Sequence, residues 1–120
     1  MHEHNAWQSS QGILALVSAI RTAPIEPGML APQVLVVAPP AIQIPKGPIA
    51  PKFEGGERKC IGLADAYRKV CEEVGCNFFD AGSVVTSSNV DGVHLDLDQH
   101  LTLGKAVSRV AEPLLTKNVL

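Results

Sequence analysis

Gln33-Val34-Leu35-Val36-Val37-Ala38-Pro39-Pro40 decides how this chain is read. Its β-branched residues favour an extended backbone, and it shows no polar alternation. Both faces of the strand are therefore expected to be buried, as in the interior of a parallel sheet. Pro39 and Pro40 end the strand, because neither can donate to a ladder.

The chain after this strand completes a unit. Ala41 to Gly56 carries Pro45, Pro48 and Pro51 and reads as a long ordered loop, with Phe53 as its anchor or as a substrate wall. Glu57 to Gly75 reads as one helix. Ile61, Ala64, Tyr67, Val70, Cys71 and Val74 form its buried stripe, and Gly75 is its left-handed stop. Cys76-Asn77-Phe78-Phe79-Asp80 is a second short strand. A helix between two apolar strands is a βαβ unit with parallel strands and a right-handed crossover.

A helix is expected on each side of this unit. Asn5 to Ala23 places Ile13, Leu16, Val17 and Ile20 on one stripe, with Trp7 as a packing residue, and Pro24 and Pro27 stop it. After the polar loop Ala81 to Val93, Asp96 and Gln99 are spaced as a capping box. The helix that follows points Leu97, Leu101, Gly104, Val107, Ala111 and Leu114 inward, and Gly104 suggests close approach to a neighbour. Thr116 to Leu120 reads as a loose tail. Residues 1–120 form one incomplete domain, since a single βαβ unit leaves strand edges open and too little sheet to cover them. The fold class is α/β, part of a larger doubly wound architecture.

Composition narrows the function. The chain is 46% hydrophobic and 18% charged, with a formal net charge of -2 and no Lys/Arg cluster, so no nucleic-acid partner is expected. Its apolar runs are too short to span a bilayer, and Met1 to Asn5 lacks the features of a signal peptide, so the expected location is the cytoplasm. Cys60, Cys71 and Cys76 show no Cys-x-x-Cys spacing and read as reduced thiols; a Cys60–Cys71 or Cys71–Cys76 bridge depends on geometry. His2 and His4 read as part of a solvated tail. There is no phosphate loop or dinucleotide fingerprint, and no cofactor is expected.

The chemistry concentrates at Asp91-Gly92-Val93-His94, which leaves the carboxyl end of the second strand, where open α/β sheets gather catalytic groups. A carboxylate three residues before an imidazole, with a glycine to tighten the turn, can orient one ring nitrogen and leave the other as a base. Metal ligation by Asp91, His94, Asp96 and His100 is the competing chemistry, although His94 and Asp96 would straddle a helix start and His100 lies further along it. Ser83, Ser87 and Ser88 share the loop, lack a strand-to-helix nucleophile turn, and read as structural.

Several blocks together carry a family likeness. Phe53-Glu54-Gly55-Gly56-Glu57, Leu63-Ala64 with Tyr67, Phe78-Phe79-Asp80-Ala81-Gly82-Ser83-Val84 and Asp91-Gly92-Val93-His94-Leu95 resemble the carboxyl-terminal half of the SGNH (GDSL-type) hydrolases. The arylesterase and acyltransferase branch is the nearest in pattern, over about Gly12 to Leu115. The resemblance implies a partial flavodoxin-like α/β/α sandwich with its amino-terminal half missing. It also implies His94 as the general base and Asp91 as its orienting carboxylate. A Gly-Asp-Ser nucleophile and a Gly-x-Asn-Asp oxyanion block belong to the family pattern, and neither occurs in this sequence. The expectation is the carboxyl-terminal portion of a serine ester hydrolase for small esters, inactive or nearly so in isolation. The alternatives are a non-catalytic binding or assembly module, self-associating through open strand edges, or a half that complements a separate serine-bearing chain.

Overall fold

A computed structural model describes residues 5–116. Helix α1 spans Ala6–Thr22, strand β1 Leu35–Ala38, helix α2 Gly56–Lys59, helix α3 Leu63–Val74, strand β2 Asn77–Asp80 and helix α4 Leu97–Thr116. Short 3₁₀ turns at Gly47–Phe53 and Ala81–Ser83 connect them. His2, His4 and the tail expected after Thr116 lie outside the described residues, and Thr116 itself ends α4.

The βαβ unit forms as the sequence indicates. Strands β1 and β2 pair in parallel, with Leu35 opposite Asn77, Val36 opposite Phe78, Val37 opposite Phe79 and Ala38 opposite Asp80. Helix α3 covers one face of both strands, and α1 packs against α3. Val17, Val36 and Cys71 form the buried cluster where the three elements meet, with Ile13, Tyr67 and Phe78 around it. Only one face of β1 is closed: Val36 and Ala38 are buried, whereas Val37 is exposed. The expected burial of both faces fails because the two helices lie on the same side of a two-stranded sheet.

The long helix expected from Glu57 to Gly75 is two helices. Gly62 takes φ +77, outside helical space, and opens a turn between α2 and α3. Ile61 sits in that turn, 74% exposed, and not on the buried stripe. The carboxyl end behaves as expected: Gly75 is left-handed at φ 70, and its N–H donates to the Cys71 carbonyl. Arg21 on α1 donates to the Val74 and Gly75 carbonyls, tying the last turn of α3 to its neighbour.

Helix α1 starts at a capping box between Asn5 and Gln8, each side chain bonding the other's backbone N–H at 2.9 Å. Its buried stripe is Ser10 and Val17 with Ile13 half-buried, while Trp7, Leu16 and Ile20 are exposed. One partner helix shields a narrower stripe than the sequence pattern offers. Ser10 is satisfied internally, its hydroxyl donating to the Trp7 carbonyl at 2.6 Å.

Helix α4 departs further from expectation. It has no buried residue. Val107, Ala111 and Leu114 are half-buried as anticipated, but Leu97 is 87% exposed, Leu101 is exposed, and a Cβ on Gly104 would meet nothing within 4 Å. The apolar residues of its first turns are largely exposed, and the helix start is held to the loop through Gln99. The capping box is also absent: Gln99 uses its side-chain oxygen to accept from the Thr86 N–H at 2.9 Å. Asp96 enters the helix through its carbonyl, which accepts from Gln99 and His100 N–H.

Candidate active site

Strand β2 delivers the chain into the loop that carries Asp91 and His94, and small polar residues set the loop's course. Asp80 caps the turn after β2, its carboxylate accepting from the Gly82 N–H at 2.9 Å. Ser87 and Ser88 are both buried. Ser87 donates to the Ala41 carbonyl at 2.6 Å, and Ser88 accepts from the Val90 N–H at 3.0 Å. Ser88 also closes the loop through its backbone, donating to the His94 carbonyl at 2.7 Å and accepting from Gly92 at 2.8 Å. Both serine hydroxyls are thus engaged in holding the loop.

The proline-rich segment supplies the opposite wall. Gln43 N–H donates to the Gly92 carbonyl at 2.7 Å, and Lys46 N–H donates to the Asp91 carbonyl at 2.9 Å. The Gln43 side-chain amide reaches the Ser87 carbonyl at 2.8 Å and Asn89 Oδ1 at 3.0 Å. Sequence reasoning gave this segment an anchoring role but singled out Phe53 and missed Gln43. Its signal was the lone amide between Ile42 and Ile44, facing a loop rich in Ser and Asn.

Gly92 is the pivot. It is buried with φ +79, and a Cβ there would lie 2.7 Å from the Ile44 carbonyl oxygen. Only glycine lets the two segments approach this closely while the chain turns between Asp91 and His94.

The turn brings the acid and the imidazole together. Asp91 Oδ1 accepts from the Val93 N–H at 2.8 Å and the His94 N–H at 2.9 Å, while Oδ2 meets His94 Nδ1 at 2.7 Å. The Val93 N–H, then the His94 ring and N–H, hold the Asp91 carboxyl at about 2, below its ordinary 3.8. The ionised Asp91 accepts a hydrogen bond from a proton on Nδ1, and Nε2 then keeps its lone pair. The His94 side chain is 67% exposed and Asp91 25%, so the acid is sheltered while the imidazole is presented. With Nδ1 as the donor to Asp91, such an arrangement can serve chemically as a general base through Nε2.

The competing metal reading finds little support here. Asp91 commits both carboxylate oxygens within its own turn, and no group of three or more His, Cys, Asp or Glu able to hold an ion occurs among the described residues. A cavity of about 370 Å³ opens at the carboxyl ends of both strands, between Pro39, Asp80 and Gly82 and the start of α3 at Gly62–Asp65; neither Asp91 nor His94 lines it. No helix among the described residues is long and apolar enough to cross a membrane.

No protein-family model matches the chain, and no curated protein does. Solved structures do. The aryl esterase of M. smegmatis superposes with a TM-score of 0.85 at 33% identity, over 93% of this chain and 54% of that one. A carbohydrate acetylesterase family member from Sinorhizobium meliloti gives 0.84 at 33% identity, with the same coverage. The likeness is to esterases of the SGNH family. Est24, a carbohydrate acetylesterase from Sinorhizobium meliloti, aligns at 28% identity with a TM-score of 0.83. The chain spans about half the length of these structures, so what is present is a partial SGNH-type α/β fold.

Proposed function

We propose that this chain supplies the general base and orienting acid of a serine ester hydrolase acting on small aryl or short-acyl esters. The reading is carried by the 2.7 Å contact between Asp91 Oδ2 and His94 Nδ1, with Asp91 Oδ1 pinned by two backbone N–H groups. His94 Nε2 would take the proton of an attacking serine hydroxyl and return it to the departing alkoxide. Asp91 stays ionised throughout and stabilises the imidazolium that forms between those steps. The esterase neighbours support the reaction class, and a sequence without a Gly-Asp-Ser block fits a nucleophile carried elsewhere in an SGNH fold. A base without its nucleophile retains little catalytic power.

Hydrolysis of p-nitrophenyl acetate tests this. The chain alone is expected to show no turnover above a His94→Ala control. Joined to, or co-expressed with, a serine-bearing amino-terminal half, it is expected to turn over ester, and His94→Ala should lower that rate by roughly 10⁴-fold. An unchanged rate in the joined protein would remove His94 from the mechanism. Ester turnover by the chain alone, lost on His94→Ala, would instead assign the nucleophile to a local serine.

The exposed start of α4 and the open face at Val37 favour a second reading, an assembly module that pairs through its bare sheet. Light scattering discriminates: a dimer at micromolar concentration supports pairing, and a monodisperse monomer opposes it.

A further inference from the structure

Cys71 and Cys76 stand apart from the dyad, at the amino end of β2, and the esterase reading gives them no task. Cys71 is 1% exposed in the last turn of α3, and Cys76, half-buried, leads into β2. Between them the helix ends in a tight closure. The N–H groups of Gly75 and Cys76 both donate to the Cys71 carbonyl, the latter at 3.0 Å. A bond from the residue past the cap back into the last turn sets those two side chains against each other, where helices commonly place an apolar contact. Here the two residues are cysteines: Cys71 is in the buried cluster with Val17 and Val36, and Cys76 packs against that cluster beside Phe78. Arg21 holds the same turn from α1 through the Val74 and Gly75 carbonyls.

We propose that Cys71 and Cys76 form a reversible intramolecular disulfide across the α3–β2 junction, with a low-molecular-weight disulfide such as oxidised glutathione as the oxidant. The Cys76 N–H bonds the Cys71 carbonyl directly and both residues belong to one packed cluster, which brings the pair toward the separation that a disulfide spans. Cys76 is the entry point, being the more accessible of the two. Its thiolate attacks one sulfur of oxidised glutathione, forming a mixed disulfide and releasing one glutathione. Cys71 then gives up its proton to solvent and attacks the Cys76 sulfur, releasing the second glutathione. Two protein thiols are oxidised to one disulfide, and one glutathione disulfide is reduced to two thiols. Burial, with the Cys76 thiol beside it, pushes the Cys71 thiol up to about 12, so the second step is the slow one. Cys60 is outside this pair, because α3 from Leu63 to Cys71 alone spans about 12 Å.

The staple fixes the strand that leads to the Asp91–His94 loop without touching the dyad. Its test is oxidation of the full native chain with oxidised glutathione, followed by thiol counting, intact mass and peptide mapping. Accessible thiols in the denatured product should fall from three to one, with a mass loss of about 2 Da and a single bridged peptide pair joining Cys71 to Cys76. A Cys60→Ser variant should oxidise identically, and dithiothreitol should restore every thiol. A map that shows Cys71 and Cys76 still free, glutathione retained on Cys76, or bridges through Cys60 predominating would overturn the proposal. The mapping uses the unsubstituted protein, so the result stands even if Cys71→Ser and Cys76→Ser variants fail to fold.

Discussion

Gly92 and Gly104 lie on either side of the start of α4, and the molecule uses them in opposite ways. Gly92 is buried at φ +79, with the Ile44 carbonyl 2.7 Å from where a Cβ would sit. Gly104 is in the interior of α4 with open space around it. The Asp91–His94 loop is ordered by the segments it touches, through Ser87, Ser88, Gln43 and backbone bonds to residues 43 and 46. Helix α4 is ordered by its own backbone ladder. The loop is therefore brittle toward substitution, while the helix is tolerant.

The strongest way to break this contrast is Gly92→Ala. A side chain there meets both a disfavoured backbone conformation and a rigid carbonyl, with a combined cost of about 3 kcal/mol. The urea midpoint should fall by that equivalent with an unchanged slope. A loss under about 0.5 kcal/mol would mean that the 43–46 segment moves away freely, and that the loop is no more constrained than the helix.

Ser87→Ala is the next in size. It removes a buried hydroxyl that donates to the Ala41 carbonyl at 2.6 Å and leaves that carbonyl without its donor. The expected loss is about 1–2 kcal/mol. Ser108→Ala, at an exposed position on α4, should stay within about 0.5 kcal/mol. Equal effects at the two serines would erase the distinction between the regions.

Acid titration probes the same loop through charge. The Asp91 carboxyl titrates at about 2 when folded against an ordinary 3.8, so its folded form binds its proton less readily than the unfolded chain does. Its contribution to stability is fully present above 3.8 and is lost as pH falls to about 2, because the unfolded state binds more protons across that window. Asp91→Asn should flatten this part of the stability–pH curve. Retention of the full acid dependence in that variant would assign it to other carboxylates. The effect is placed below the serine's because Asp91 is partly exposed and screened.

The core and the site were legible to different degrees for physical reasons. The parallel pairing of Leu35–Ala38 with Asn77–Asp80 was readable because short apolar runs on either side of an amphipathic helix have few other solutions. The Asp91–His94 contact was readable because a three-residue spacing with a glycine between is local geometry. What failed was burial that depends on distant partners: Leu16 on α1, Val37 on β1, and Leu97 and Leu101 on α4 carry apolar patterns written for surfaces that this half of the fold does not contain. The break at Gly62 was missed because the apolar stripe runs through it, and periodicity is blind to a single left-handed residue. Gln43 was missed because its contacts lie 44 and 46 residues away in the chain.

Gly104→Ala is a small effect of the opposite sign. In an open helix interior, alanine loses less backbone entropy than glycine, so this chain should gain about 0.5–1 kcal/mol. The sequence pattern, however, placed Gly104 at a close approach to a neighbour, and an SGNH fold with both halves present is expected to cover the exposed start of α4. The same substitution in a protein with both halves present should therefore lose stability, because a methyl group would intrude on that contact. A gain in both contexts would make Gly104 a plain helix position, and the exposed start of α4 a solvent face. A loss in this chain alone would put a neighbour against α4 already, and the contrast with Gly92 would disappear.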